Sequence, residues 1–315
     1  MEANRADRPR YIYGPVPSRR LGLSLGLDIV PPKICTLDCV YCQIGRTTKM
    51  SATRGDFLDI QIVLDELKQV LGEGVHADYI TIGGSGEPTL NVRLGELIDG
   101  IRELTSIPVA IITNGTLLYR ADVRAECAKA DLVVPSLDAA DADVFEAVNR
   151  PVGDISIEKL VSGLAQFRQE FTGQLWLEVF LIKGINTGPE QIAQLKAHID
   201  RIRPDKVQLN SAVRPAAEEG IAPIEAAELE VIARQIGGPC EIVGAAPSAE
   251  SDRHVQRTAA DVLSMLKRRP CSVEDICTGL AINPHEALKH IAALETREEI
   301  VSERRGDTTY YLRRS

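Results

Sequence analysis

Aromatic residues and long apolar runs are the scarcest features of this sequence. Phe, Trp and Tyr make up 4% of the 315 residues, and there is a single Trp. No apolar run approaches the ~18–20 residues that span a bilayer, and residues 1–7 lack the apolar core of a signal peptide. The 24 Gly and 17 Pro are scattered, which excludes collagen and long disordered tracts. We therefore expect a cytoplasmic protein with no membrane partner.

The charge of the chain is unevenly distributed. The net charge of −9 combines a balance of +5 over residues 1–54, −15 over residues 55–250 and +1 over residues 251–315. The basic first segment surrounds a cluster of cysteines. Two interpretations stay open: a solvated arm with a few arginines, or a site that receives an anion such as a carboxylate, a phosphate or a nucleic acid.

Short apolar strands alternate with amphipathic helices over the first 245 residues. This alternation predicts an α/β fold in which parallel strands are joined by helical crossovers. Ligands of such sheets bind beyond the carboxyl ends of the strands, where we expect the polar motifs to gather. The predicted strands are Leu23–Val30, Tyr79–Gly83, Val109–Thr113, Leu132–Ser136, Leu175–Ile182, Lys206–Leu209 and Glu241–Val243, and the predicted helices are Ile60–Leu71, Leu94–Leu104, Ala121–Ala128, Ile157–Gln169, Pro189–Arg201 and Glu225–Gln235.

Three of the seven cysteines lie within eight residues, in the spacing C-x3-C-x2-C formed by Cys35, Cys39 and Cys42. A disulfide framework would distribute cysteines along the chain, whereas a metal site concentrates them. Three thiolates can bind three irons of a cubane cluster and leave the fourth iron open for catalysis. The alternative is a zinc site completed by a remote His or Cys. Cys127 is interpreted as a small buried side chain.

The cysteine motif, with Tyr41 before its last cysteine, resembles the signature of the radical S-adenosylmethionine (SAM) superfamily. Three later turns match in chain order: Gly84-Ser85-Gly86-Glu87-Pro88 after a strand, Asn114-Gly115, and Ser136-Leu137-Asp138. The resemblance implies a partial (β/α)6 TIM-like barrel. It implies a [4Fe-4S] cluster on the three cysteines, and one-electron reduction of SAM to methionine and a 5′-deoxyadenosyl radical. A donor such as flavodoxin or ferredoxin would supply the electron.

The resemblance also implies which residues hold the cofactor. Gly84, Ser85, Gly86 and Glu87 would contact the SAM amino group, because glycines admit a ligand close to the backbone and the glutamate supplies a countercharge. The candidates for the carboxylate or ribose of SAM are Asn114, Ser136 and Asp138, and Tyr41 and Asn210 are further cofactor candidates. The catalytic candidates are Asp138, Lys183 and Arg214. Lys183 is alternatively an ordinary exposed lysine at a strand end.

One branch of the superfamily is more similar than the others. The segment from Tyr13 to Arg20 (YGPVPSRR), the Gln208-Leu209-Asn210 tripeptide and Val213-Arg214-Pro215 resemble the wyosine-synthase-like proteins. This similarity implies a tRNA base or a related anionic substrate. The chain departs from that branch in having no cysteine before Cys35, where those enzymes hold a second cluster. Arg19 and Arg20 either brace the barrel or contact the substrate.

The carboxy-terminal part of the chain has a different pattern. Residues 246–256 are small and polar and are interpreted as a linker, and residues 257–315 as a second domain. Three predicted helices followed by a hairpin around Arg305-Gly306-Asp307 resemble a winged helix-turn-helix, which contacts either nucleic acid or protein. Cys271 and Cys277 are interpreted as core cysteines. Two further hypotheses follow: a maturation enzyme or activase acting on a protein docked by this domain, and a redox-sensing transcriptional regulator.

Overall fold

An eight-stranded sheet organises the first part of the chain. The computed structural model describes residues 11–212, 216–218, 220–243, 258–280, 282, 284–306 and 308–314. The strands of the sheet are β1 Ile12–Ser18, β2 Gly22–Leu27, β5 Tyr79–Ile82, β6 Val109–Thr113, β7 Leu132–Pro135, β8 Gln174–Leu181, β9 Lys206–Ser211 and β10 Cys240–Ile242. They lie side by side in this order, with β1 antiparallel to β2 and the rest parallel. Two short strands, β3 (Ile34–Cys35) and β4 (Lys49–Met50), pair separately.

Helices connect the parallel strands and cover one face of the sheet. Their bounds are α1 Ile60–Gly72, α2 Leu94–Leu104, α3 Ala121–Cys127, α4 Ala142–Val148, α5 Ile157–Glu170, α6 Pro189–Ile202 and α7 Ala226–Ile236. Helix α5 shows why they form: the Ser156 side chain accepts the Lys159 N–H at its start, and Leu160, Leu164 and Phe167 repeat every three or four residues. These apolar side chains are buried in one continuous core with the outer face of the sheet.

The sheet curls so that distant strands face each other across its inner side. Arg20, in the turn between β1 and β2, donates two hydrogen bonds to Glu178 of β8. Strand β8 lies four places from β2 in the sheet. A flat sheet would hold these strands too far apart for a side chain to bridge, because neighbouring strands lie ~4.8 Å apart. The predicted α/β fold with a parallel sheet core is confirmed. Strand β1, the β3–β4 pair and helix α4 were not predicted.

Polar turns follow the carboxyl ends of neighbouring parallel strands. Asp28 follows β2, Gly84 follows β5, Asn114 follows β6 and Asp138 follows β7. Since parallel strands end at the same edge, these turns gather around the cysteine loop, as the sequence predicts.

The C-terminal segment, defined here as residues 258–314, has its own apolar core. It contains α8 (Ala259–Leu266), α9 (Val273–Leu280), α10 (Pro284–Thr296), β11 (Ile300–Arg305) and β12 (Thr308–Arg313), so the predicted three helices and hairpin are present. Thr258 and Asp261 form a capping box at the start of α8. The predicted linker, residues 246–256, lies outside the described residues. In the part of the chain that is described, no helix is long and apolar enough to cross a lipid bilayer.

Candidate iron–sulfur and cofactor site

Backbone hydrogen bonds fix the cysteine loop on both sides. Cys42 donates its N–H to the Cys39 carbonyl at 3.1 Å, which closes a tight turn within the motif. From the other side, the Val40 N–H donates to the carbonyl of Val148 at 2.9 Å, where helix α4 ends. Cys35, Cys39 and Cys42 are free and half-buried. The structure therefore brings the three predicted cysteines together on one ordered loop at the carboxyl edge of the sheet.

Two asparagine side chains donate to the cysteine sulfurs. Nδ2 of Asn114 lies 3.4 Å from Cys35 Sγ, and Nδ2 of Asn149 lies 3.3 Å from Cys39 Sγ. Asn114 was predicted as a SAM ligand, whereas Asn149 was missed because helix α4, which it caps, was not predicted. N–H donors to sulfur stabilise electron-rich thiolates and tune the potential of iron–sulfur centres.

Burial makes the three thiols poor acids in the absence of a cation. It raises the pKa of Cys35 to about 12, with the Glu87 carboxylate adding to the effect. Burial raises the pKa of Cys39 well above its usual range, and it also raises the pKa of Cys42. Bound metal reverses this preference, because thiolates are the metal ligands.

The three thiols do not converge on one point. Among the described residues, no three His, Cys, Asp or Glu side chains approach each other as ligands of a single ion would. Each thiolate of a cubane cluster instead binds a different iron. Three thiols on one loop are the donor chemistry that an iron–sulfur cluster requires.

The glycine turn after β5 packs directly against the cysteine loop. A Cβ at Gly86 would lie 2.6 Å from the Ile34 carbonyl oxygen, and one at Gly84 would lie 2.6 Å from Cγ of Asp28. Gly84 also has φ +135°, which L side chains rarely adopt. Only glycines allow this close approach, so the turn and the loop form one surface.

Asp28 anchors the glycine turn, and sequence reasoning missed it. Its Oδ2 accepts the Ser85 N–H at 3.1 Å and the Ser85 hydroxyl at 2.6 Å. The Ser85 carbonyl in turn accepts the N–H of Lys33 at 2.6 Å. The predicted strand Leu23–Val30 contains Asp28, whereas β2 ends at Leu27. A carboxylate inside an otherwise apolar run is the sequence signal that could have identified it.

Glu87 is 3% exposed, and protein groups occupy both of its carboxylate oxygens. Oε1 accepts the N–H and the hydroxyl of Thr89 and the hydroxyl of Thr113, and Oε2 accepts the Asn114 N–H at 2.8 Å. Burial nevertheless raises its pKa. Glu87 thus joins the glycine turn to the end of β6, which differs from the direct countercharge to a ligand that the sequence predicts.

Asp138 is also buried, and it positions Tyr41. Its carboxylate accepts the Tyr41 hydroxyl, the Nδ2 of Asn149 at 2.9 Å and the Phe180 N–H at 2.8 Å. The Tyr41 ring stacks on Phe180 with centroids 4.0 Å apart. Burial raises the pKa of Asp138 to about 6. These three donors hold Asp138 behind the loop, so its geometry is that of a support. The backbone of Ser136, two residues before Asp138, forms an isolated parallel β-bridge with that of Glu178 in β8.

A polar network fills the inner side of the curled sheet. Arg20 binds Glu178 through two hydrogen bonds of 2.9 and 2.8 Å, and Asn210 donates to the same carboxylate at 2.9 Å. Arg19 reaches the Asn210 side-chain oxygen at 3.4 Å. These contacts favour the interpretation that the two arginines brace the barrel, and they place the cofactor candidate Asn210 in the same brace.

One catalytic candidate, Lys183, pairs with a residue outside the cysteine loop. The Lys183 side chain is 55% exposed and pairs with Glu228 of α7 at 3.7 Å. It therefore corresponds to the alternative interpretation, an exposed lysine at a strand end. Arg214 lies outside the described residues.

Cations border the cysteine loop on its solvent side. Arg46 pairs with Asp38 at 3.1 Å and with Glu218, and Arg150 pairs with the same Glu218. The Lys33 charge partly offsets the rise in the pKa of the Cys42 thiol that burial causes. Of the remaining cysteines, Cys127 and Cys271 are buried in the two apolar cores, and Cys277 packs against the second.

Comparison with known proteins identifies the family. The family model described as Radical SAM superfamily matches residues 29–195. The chain is 37% identical over 305 residues to a Brachyspira hyodysenteriae protein named GTPase Obg, covering 94% of this chain and 44% of that protein. It therefore spans less than half the length of that relative. It is 36% identical to a UPF0026 protein of Methanocaldococcus jannaschii (74% and 72% covered) and 30% identical to one of Helicobacter pylori (97% and 98% covered).

A solved structure shows the same fold. The chain superimposes on a radical SAM methyltransferase from Sphaerobacter thermophilus with a TM-score of 0.51, covering 70% of this chain and 65% of that one at 14% identity. At this identity the likeness shows the fold alone. The family match, which covers more than half of the sequence, supports an enzyme. The chain is thus a relative of the UPF0026 proteins and belongs to the radical SAM superfamily, whose enzymes use a [4Fe-4S] cluster and SAM.

Proposed function

We propose that Cys35, Cys39 and Cys42 hold the [4Fe-4S] cluster and that the turn Gly84–Glu87 binds SAM. The observation that carries this proposal is the packing of the glycine turn against the cysteine loop, where backbone replaces side chains at Gly84 and Gly86. When bound, the cluster and SAM supply the one-electron chemistry that yields a carbon-centred radical. The electron would come from a donor such as flavodoxin or ferredoxin.

The chain's own residues then have distinct tasks. Gly84 lets the turn pack on Asp28, and Gly86 lets it pack on the Ile34 carbonyl beside the cysteine loop. Asn114 and Asn149 donate to thiolate sulfur. The Tyr41 ring, stacked on Phe180, belongs to an apolar group beside the loop that excludes water.

The proposed substrate is a tRNA base or a related anionic molecule. The support is the set of cations on the solvent side of the loop, of which Arg46 has a side chain that is 52% exposed. We also propose that residues 257–315 form a winged-helix domain after a linker at 246–256. Arg313 and Arg314 at the end of its hairpin are exposed and would add basic contacts.

Anaerobic reconstitution tests the cofactor assignment. Wild type should bind about four irons and release methionine and 5′-deoxyadenosine from SAM under reduction. Cys39→Ala should lose both the bound iron and the products. Cys240→Ala is the matched control, because this cysteine lies in β10 and should leave both unchanged. Full iron content in Cys39→Ala would contradict the assignment.

The substrate class is tested separately. Modified nucleosides in tRNA from cells with and without the gene should differ in one species, and purified protein should bind tRNA with a salt-dependent affinity. Identical nucleoside profiles, together with specific capture of one protein, would instead support the maturation-enzyme hypothesis.

A further inference from the structure

The C-terminal segment contacts the sheet next to the proposed SAM turn. The Arg268 guanidinium, just after α8, lies 3.7 Å from the centroid of the Tyr13 ring on β1, and helix α9 packs against the same strand. Arg268 NH1 also donates to the carbonyl and the hydroxyl of Ser264, both at 2.8 Å. The bonds to its own helix orient the guanidinium, so the stack on Tyr13 fixes the segment to the edge strand.

The Tyr13 ring lies flat on the next strand. A Cβ at Gly26 of β2 would approach the ring to 2.1 Å, so only glycine allows this packing. Tyr13 and Gly26 are paired across the two strands. Asp28 follows Gly26 by two residues, just after the end of β2. The Asp28 N–H donates to the Tyr11 carbonyl at 2.9 Å. The edge strand therefore sets the position of both the ring and the start of the Asp28 turn.

Arg268 stacks on Tyr13, whose ring lies on Gly26, two residues before Asp28, and the charges of Arg268 and Asp28 act on each other over this short path. Burial raises the pKa of Asp28, and the Arg268 charge opposes that rise. The reciprocal effect holds as well: burial lowers the pKa of Arg268, whereas the Asp28 carboxylate raises it. A half-buried carboxylate is costly unless a cation or hydrogen bonds compensate it. Here the cation comes from the C-terminal segment and the hydrogen bonds come from Ser85.

We propose that Arg268 is a positioning residue for the SAM site: stacked on Tyr13 across from Gly26, it stabilises through its charge the Asp28 carboxylate that anchors Ser85 of the glycine turn. The inference rests on the proposed function, since it assumes that this turn binds SAM. It makes the C-terminal segment a support of the cofactor site in addition to any role in recognising a partner. The sequence motif around Tyr13, which the cofactor chemistry leaves unexplained, then acts as the docking strand.

The test measures SAM binding by the full-length, reconstituted protein, using equilibrium dialysis with labelled SAM. Arg268→Met keeps the aliphatic stem but removes the charge and the planar group, and should raise the dissociation constant about fivefold. Arg268→Lys keeps the cation and should restore most of the affinity. Arg297→Met is the matched control: this arginine of the same segment is 63% exposed, and its loss should leave the constant unchanged.

A double-mutant cycle separates positioning from a general loss of stability. Ser85→Ala removes the hydrogen bond from the Ser85 hydroxyl to Asp28. In that background Arg268→Met should raise the dissociation constant for SAM clearly less than about fivefold, because the anchor is already weakened. Equal SAM affinity of wild type and Arg268→Met, or fully additive effects in the cycle, would overturn the inference. If Arg268→Met binds no iron, Tyr13→Leu replaces it and must show the same loss of affinity, or the inference is wrong.

Failure of the proposed function gives a different result. In that case the wild-type protein itself, with its iron bound, does not bind SAM, and the inference fails with it. Normal SAM binding by wild type followed by normal binding in the Arg268 variants rejects the positioning role alone.

Discussion

Removing the amide of Asn149 should lower the reduction potential of the proposed cluster. This side chain is 2% exposed, and its Nδ2 donates to Cys39 Sγ at 3.3 Å and to Asp138 at 2.9 Å. Asn149→Leu keeps the volume and removes both donors. An N–H bond to a charged acceptor contributes about 1.5–3 kcal/mol. If about half of that depends on the added electron, the difference between redox states is about 1 kcal/mol, which corresponds to about 40 mV for one electron.

The measurement is a redox titration followed by electron paramagnetic resonance. The potential should fall because the donor stabilises the more electron-rich, reduced cluster more than the oxidised one. The control is Asn186→Leu, which removes an equally buried amide that donates to the carbonyls of Asp138 and Phe180 and to no sulfur. This variant should lose stability without a change in potential. An unchanged potential in Asn149→Leu with full iron content would refute the reasoning.

Three other substitutions test the site. Gly84→Ala should weaken SAM binding at least about tenfold in equilibrium dialysis, because its Cβ would meet the Asp28 carboxyl. Gly153 also has a positive φ, but no atom lies within 4 Å of its Cβ position. Gly153→Ala should therefore lower the stability of the protein and leave SAM binding unchanged. Asp138→Asn should remove a pH dependence of the free energy of unfolding. In the folded state Asp138 keeps its proton up to about pH 6, so the group stabilises the fold below about pH 4, and about 3 kcal/mol of this stabilisation is lost by pH 7. Urea unfolding at several pH values measures the difference. Glu218→Gln should release the two arginines that it bridges, raise tRNA affinity about two- to threefold, and steepen its salt dependence; unchanged binding would contradict an anion site at this rim.

The regular elements could largely be predicted from the sequence, and the exceptions have physical causes. Helix α2 and strand β6 have the predicted bounds, because their apolar spacing is uninterrupted. Strand β1 was missed because Pro15 and Pro17 interrupt its pattern. Proline is tolerated there because β1 is an edge strand, where one side of the backbone needs no partner. Helix α4 has only seven residues, too few for a clear helical period.

The residues of the site could be located from the sequence, but their contacts could not. A polar residue after a parallel strand is near the ligand edge whatever it does there, so Glu87 and Asp138 were placed correctly as neighbours of the cysteines. Whether a carboxylate faces a ligand or is enclosed by protein donors depends on side chains that are remote in sequence. For Asp138 these are Tyr41, Asn149 and Phe180. Asn149 itself was unforeseen because helix α4, which it caps, was not predicted.

The arrangement of charges explains why a basic segment surrounds the loop of an acidic protein. Behind the thiols, the buried carboxylates Glu87 and Asp138 each raise the pKa of a neighbouring cysteine and oppose additional negative charge. In front, Lys33 and Arg150 are partly exposed, and their charges act on Cys42 and Cys39. A cluster held between these groups would have the buried carboxylates behind it and the cations on its solvent side. An anionic substrate would approach from that side, and neutralising the rim should reduce its association rate, most strongly at low ionic strength.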